Sequence, residues 1–359
     1  MSYADEFVKR VLRLERLSNG EARKIAPKIK SLKQTITDEL ERLERLGATP
    51  KRKAAAHKVI ARELGELLSQ NYNDVMESTK ILIEKEIAFN SDMFSLYSGK
   101  EFLSINKDIA FQKILSRKIE GRTFSDWYDR SSRGSSKKLK NIINNGFAKG
   151  ETVSEISKKA RRVADGTSKE IRTLVRSSFV SAANEVRNMQ VMENSELFEF
   201  KMWVSILDIR TTPHICGIRD GLKYTLSDDP IDHGEPWETG PGSIHFNCRS
   251  AWIPKIKNVS LKAERPAINA GENYQRGDRT TNTGRVRKPT RASIDRGIFE
   301  VTSGKNFRGK YEGWLRSQPT DYVADALRSR ERALRFKKGE SLSSITSSPF
   351  GEPLNINQL

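Results

Sequence analysis

Along the first part of the chain, apolar side chains recur at intervals of three and four residues. Phe7, Val11, Leu14 and Leu17 fall on one face of an amphipathic helix. A second stripe, Ile29, Leu32, Ile36, Leu40 and Leu43, predicts a helix over about 22–46. Gly47-Ala48-Thr49-Pro50 closes it, because glycine suits the residue after a helix and proline cannot continue one. Further helices are predicted over 54–70 and 75–88. Stripes of this kind speak for packing within a core or between copies of the chain before any ligand role.

Past Gly146 the same period returns. A helix is predicted from about Val153 to Val163, centred on Ile156, with Lys158, Lys159, Arg161 and Arg162 crowded near its end. Thr167-Ser168-Lys169-Glu170 reads as a capping box that starts a new helix. Its stripe is Ile171, Val175, Phe179, Ala182, Val186 and Met189. Arg176 and Arg187 lie eleven residues apart, within about 20° of each other around the axis. Two such arginines on one face could grip an acidic partner or serve simply as solvated surface.

From Phe198 the period shortens to two. Phe200, Met202, Val204 and Ile206 alternate with Lys201, Trp203, Ser205 and Leu207, which predicts a strand. A loop rich in Gly, Pro and Asp follows, and Ala251, Ile253 and Ile256 read as a returning strand. Residues 258–300 are poor in large apolar side chains and contain the basic run Arg285-Val286-Arg287-Lys288-Pro289-Thr290-Arg291, as expected of a linker or an arm that orders on its partner. Pro319 then opens a helix carrying Val323, Leu327 and Leu334, stopped at Lys337-Lys338-Gly339, with a polar extended tail from Glu340. The pattern predicts an α+β fold. A helical N-terminal region (1–145) precedes a small domain with short antiparallel strands (146–257), a basic arm (258–304), and a helical C-terminal element with its tail (305–359). No internal repeat is visible.

Composition adds charge to this picture. Of 359 residues, 36% are hydrophobic and 31% charged, a balance that favours long amphipathic helices over one large core. The net charge of +18 attracts polyanions, nucleic acid foremost, although a solvated lysine-rich surface gives the same number. The candidate DNA contacts are Arg285, Arg287, Lys288 and Arg291 of the arm and Lys158, Lys159, Arg161 and Arg162 of the helix. No groove-reading module is present, so such binding would be non-specific. The start, Met1 to Glu6, has neither the basic nor the apolar run of a signal peptide, and no apolar run approaches the ~20 residues of a membrane span. Synthesis and residence in the cytoplasm, unless an assembly carries the chain elsewhere, are the expectation.

Cysteine and histidine are scarce but clustered. Both cysteines, Cys216 and Cys248, and three of the four histidines, His214, His233 and His245, lie within 208–248. Zinc prefers four nitrogen and sulfur ligands in a tetrahedron, and His214, Cys216, His245 and Cys248 are the candidate set, with Asp208 as an alternative ligand. The spacing is not that of a zinc finger. Two other readings remain open: buried, apolar-like cysteines with histidines bonded to backbone, or one Cys216–Cys248 disulfide in a released particle. Asp232-His233 with His245 and Asn247 could also be taken for a histidine–metal nuclease, but the helix that should bring the second ligand is missing.

These residues carry a family resemblance. Trp203 to Cys216, with Asp220-Gly221 and Tyr224, resembles the signature of the phage head morphogenesis family typified by the Mu F protein. Pro241 to Ser250 is similar to that family's closing Pro, His, Asn-Cys-Arg element, and Arg176, Ser177, Asn184 and Arg187 to its upstream helix. Tyr311 to Pro319 and the helix to Phe336 resemble a C-terminal element of some members, so the likeness spans roughly 145–345. Two departures stand out: Ser250 replaces a second cysteine common after Cys-Arg, and Pro241 lacks a neighbouring proline. The resemblance implies a low-copy minor head protein inside the capsid near the portal, acting in assembly or genome delivery and not as an enzyme. Its implied partners are portal protein, major capsid or scaffold protein and double-stranded phage DNA, with Arg176, Asn184 and Arg187 as partner contacts. A metal-dependent nuclease or toxin-like effector using the His/Cys cluster is the alternative.

Overall fold

The computed structural model describes residues 3–261, 265–278, 290–302 and 309–346. Six helices lead: α1 (Tyr3–Arg23), α2 (Ile25–Leu46), α3 (Pro50–Ser98), α4 (Lys107–Ser116), α5 (Phe124–Ala148) and α6 (Val153–Glu193). A strand and returns follow as β1 (Phe198–Val204), β2 (Lys223–Tyr224), β3 (Pro230–Ile231) and β4 (Ala251–Ile256). The rest comprises β5 (Ala267–Ala270), α7 (Arg291–Asp295), β6 (Phe299–Thr302), α8 (Tyr311–Ser317), α9 (Thr320–Leu327), α10 (Arg330–Lys337) and α11 (Leu342–Thr346). The fold is α+β, as the patterning predicts. Among the described residues, no helix is long and apolar enough to cross a membrane.

Two of the predicted breaks are absent, each because a polar side chain finds a partner inside the bundle. The stretch around Asn71, predicted to separate two helices, runs unbroken through the 49-residue α3. Asn71 is buried there and accepts from the Tyr128 hydroxyl at 2.7 Å. Thr167 likewise does not cap a helix. It lies buried within the 41-residue α6, donating to the Val163 carbonyl at 3.0 Å and pairing with Ser135 Oγ at 2.7 Å. A threonine that bonds back to the preceding turn is tolerated in mid-helix. The capping box that starts α6 is Thr152 with Glu155, whose carboxylate accepts from the Thr152 N–H at 2.9 Å.

α6 is the axis of the molecule. It packs against α1, α2, α3, α4 and α5, and its last turns lie against β4. Leu32, Ile36, Leu40, Leu64, Leu139, Ile143, Ile156 and Ile171 form one apolar core among the helices. A second core lies between the sheet and the end of α3, built on Phe94, Phe102, Phe198, Trp203, Trp237 and Trp252.

The first sheet is antiparallel in the order β3-β2-β1-β4. Trp203 pairs with Trp252 and Met202 with Ile253, with a bulge between Phe198 and Phe200. The more deeply buried face of β1 is the one carrying Lys201 and Trp203. The Lys201 ammonium lies 4.5 Å from the centre of the Trp237 ring and pairs with Asp228. A lysine can be buried in a strand when an aromatic face and a carboxylate replace its water.

The described part of the segment expected as an arm is folded onto the rest of the chain. β5 and β6 pair antiparallel, and Leu207 bridges to Ala267. Arg265 makes a buried bidentate pair with Asp220 at 2.7 and 2.8 Å, and Asp220 also accepts from the N–H groups of Ser205 and Tyr311, both at 2.6 Å. One carboxylate thus ties the arm and α8 to the end of β1. The C-terminal helix expected from Pro319 is two helices, α9 and α10. Arg328 turns the chain at φ 56° and the Ser329 hydroxyl caps α10. The expected extended tail begins with a helical turn, α11, whose Leu342 and Ile345 are buried; residues 347–359 lie outside the described ones.

Candidate metal centre and basic groove

The loop between β1 and β2 carries a tight helical turn, Pro213–Gly217, which brings Cys216 beneath the sheet. Gly217 permits this turn to seat on α8, since a Cβ there would come within 2.8 Å of the Tyr311 ring. The closing loop, 240–249, returns over α6 to β4. Its Gly242 has φ 85°, and a Cβ would meet the Ser181 nitrogen at 2.9 Å. Glycine is therefore required where the loop crosses the helix.

These two loops bring Cys216, His245 and Cys248 together, with one ligand atom of each within 4.8 Å of the others. Cys216 Sγ lies 3.0 Å from His245 Nε2 and 3.8 Å from Cys248 Sγ. Both thiols are free and buried. His245 Nδ1 lies 2.9 Å from the Phe246 carbonyl, so that nitrogen carries the proton and Nε2 turns its lone pair to the sulfurs. Burial pushes the Cys248 thiol up, but the Cys216 thiol, His245 and the Gly242 N–H (3.2 Å from the sulfur) outweigh it and hold Cys248 well down. Cys216 moves up, first because it shares its proton with Cys248 and then through burial. Burial lowers His245, and the bond to Cys248 more than offsets this, for a net rise. One negative sulfur beside an imidazole is a donor set that a soft cation recognises.

The other residues read as ligands from the sequence are placed differently. His214 is half-buried and outside the group of three. Burial, then Arg328 and His245, lower its pKa. Asp208 is buried and spends both oxygens on Arg249, with Nη1 donating at 2.7 Å. His233 Nε2 lies 2.7 Å from the Lys223 carbonyl while Nδ1 accepts from the Glu235 N–H at 3.2 Å. With both nitrogens engaged, and Asn247 Oδ1 accepting from Arg176 at 2.6 and 2.9 Å, the nuclease-like set has structural partners.

Arg187, expected on the helix surface with Arg176, is fully buried. Its Nη1 donates to the Trp252 carbonyl at 2.8 Å and its guanidinium lies 4.9 Å from the centre of the Phe7 ring. Residues 179–187 of α6 are buried without a break, so an arginine there becomes a core residue. Asn184 is buried as well, donating to the Val180 carbonyl at 2.9 Å beside Gly242. Arg117, not singled out in the sequence, holds the closing loop in place. It donates to Ser243 Oγ at 2.8 Å, Ser181 Oγ at 3.1 Å and the Thr239 carbonyl at 2.7 Å, and pairs with Glu185.

The closing loop also shapes a groove of about 960 Å³ between α5 and α6. Phe246 meets Trp127 edge-on at 5.1 Å, and the guanidiniums of Arg122 and Arg130 lie 5.5 and 5.9 Å from the Trp127 ring centre. Arg133, Lys137, Lys138 and Lys169 line the groove with them, against the carboxylates of Asp126 and Glu170. The signal is present in the sequence as basic residues interleaved with aromatics over 122–138, a pattern that helical periodicity does not tell apart from a solvated helix face. The cations read from the sequence, Lys158, Arg161 and Arg162, line a second groove of about 760 Å³ with Lys33, alongside Glu41, Glu44 and Asp165. Lys159 pairs with Glu151 at 2.6 Å, so this surface is the more nearly neutral of the two. Arg291 is exposed at the start of α7; Arg285, Arg287 and Lys288 lie outside the described residues.

Residues 137–253 match the sequence model of a family described as phage Mu protein F like protein. The matched stretch runs from α5 through α6, the Cys216/His245/Cys248 cluster and into β4; the likeness read beyond residue 253 lies outside it. No curated protein and no solved structure matches the chain.

Proposed function

We propose that this chain, whose residues 137–253 match the phage Mu protein F like family, is a head morphogenesis protein and works as a minor head protein. It is made in the host cytoplasm and carried into the capsid interior. There it stands beside the portal, among portal, major capsid or scaffold subunits, and supports head assembly, packaging or delivery of the genome. Its chemistry toward DNA is electrostatic: a net charge of +18 attracts the phosphate backbone without reading bases. The observation that carries this reading is the groove between α5 and α6, which straddles the start of the matched segment and where six cations face two carboxylates around Trp127 and Phe246.

Purified full-length chain mixed with linear and plasmid DNA tests the reading. Retention at low salt that fades with added salt, whatever the sequence and with the plasmid intact in Mg²⁺, Mn²⁺ or Zn²⁺, is the expected result. Failure to retain DNA at low salt contradicts the DNA contact. Metal-dependent cleavage abolished by His245→Ala would contradict the structural role and favour a nuclease.

A further inference from the structure

We infer that Cys216, His245 and Cys248 form a zinc site that clamps the Pro213–Gly217 turn to the closing loop. A zinc ion holds thiolate sulfurs at about 2.3 Å, and the edge of a regular tetrahedron of that radius is about 3.8 Å. The two sulfurs stand 3.8 Å apart, at that edge and far from a disulfide. His245 Nε2, 3.0 Å from Cys216, draws back by roughly half an ångström to reach a corner of the same tetrahedron, given a zinc–nitrogen bond of about 2.0–2.1 Å.

The surroundings are those of a ligand shell. The Phe246 carbonyl fixes the tautomer that leaves Nε2 free, and the Gly242 N–H donates to Cys248 at 3.2 Å, a bond suited to a thiolate. Ser250 is hydrogen-bonded to Cys216 and lies 3.0 Å from Ser205 Oγ, so a hydroxyl or a water completes the fourth position. The ion would fasten three separate stretches: the turn after β1, the closing loop and, through the Asn247 N–H bond to Ser177 at 2.8 Å, the middle of α6. This site stands or falls apart from the role proposed above.

The test uses the full-length chain, kept reduced, dialysed against zinc and separately against cobalt(II). Parent protein should retain about one equivalent of zinc, and its cobalt form should show a thiolate-to-cobalt charge-transfer band. Cys248→Ser should lose the band and the zinc equivalent while circular dichroism reports the helices intact. Ser250→Cys, which adds a third sulfur beside Cys216, should strengthen the band and slow zinc loss to a chelator. No zinc bound by the reduced parent overturns the site, as does cobalt bound without a thiolate band. An unchanged band in Ser250→Cys contradicts the assigned fourth position.

Discussion

Arg187 Nη1 donates to the carbonyl of Trp252 at 2.8 Å while the guanidinium lies 5.7 Å from the centre of the Trp252 ring. The long helix and the last strand of the family segment thus meet through one buried cation. Its charge is balanced at a distance. Burial draws the Arg187 pKa down to about 10, and Glu86 and Tyr3 counter that fall. Glu86 is itself buried, paired with Arg10 at 2.6 Å.

Removing this cation leaves the Trp252 carbonyl without its donor and Glu86 with Arg10 as its cation partner. Arg187→Ala should therefore cost about 3–5 kcal/mol in chemical denaturation. Arg187→Met, which keeps the stem against Phe7, should cost less, because part of the loss is packing. Equal losses for the two variants would show that charge alone matters at this position.

Asp208 and Arg249 govern the acid side of stability. Burial raises the Asp208 carboxyl, but the Arg249 guanidinium and the Arg210 N–H (2.9 Å) outweigh it and hold the group below the usual carboxylate range. A depressed folded pKa contributes stability that is present above about pH 4 and is lost as pH falls through the folded value. Denaturation midpoints should fall below pH 4 in the parent. In Asp208→Asn they should start lower at neutral pH and fall less steeply, since Arg249 is then buried without its partner. A parallel acid dependence in the two proteins would contradict the assignment.

Gly146 lies where α5 meets the start of α6. A Cβ there would stand 2.5 Å from Ile156 Cγ1 and 2.8 Å from Cδ1. Gly146→Ala should cost about 1–3 kcal/mol through overpacking, despite the better helix propensity of alanine. The double variant Gly146→Ala with Ile156→Val should recover part of the loss in the same denaturation assay. No recovery would place the strain elsewhere.

Lys137 and Lys138 on α5 face the groove proposed for DNA. If each meets a phosphate, Lys137→Ala with Lys138→Ala lowers the slope of log affinity against log salt by nearly 2, at about 0.9 per contact. Affinity should fall alike on unrelated sequences. The same pair of changes made at Lys158 and Lys159, where carboxylates lie close by, should alter the slope less. The reverse ranking would move the DNA contact to the α2–α6 surface.

Periodicity was enough for α1, α2, most of the length of α3 and α6, and the strands β1 and β4, because these follow from which side chains must leave water. What it missed depends on partners distant in the chain. The gap left at 71–74 and the capping pattern at Thr167 read locally as helix breaks, yet Tyr128 bonds to Asn71 and Ser135 to Thr167 across the bundle. Arg187 read as surface because nothing near it in sequence reveals that α1 and β4 cover that part of α6. The Cys216, His245 and Cys248 cluster was legible from scarcity alone. That His214 stands outside it and Asp208 serves Arg249 is a matter of loop geometry, which spacing does not encode.

The measurement that bears most directly on the central claim is quantitative mass spectrometry of gradient-purified phage heads from cells that produce this chain from its native gene. The expected result is the chain present at low copy alongside portal and capsid proteins, with DNA cross-links on peptides of α5 that include Lys137 and Lys138. Its absence from heads, with the chain recovered only as free protein in the lysate, would contradict the assignment as a head component.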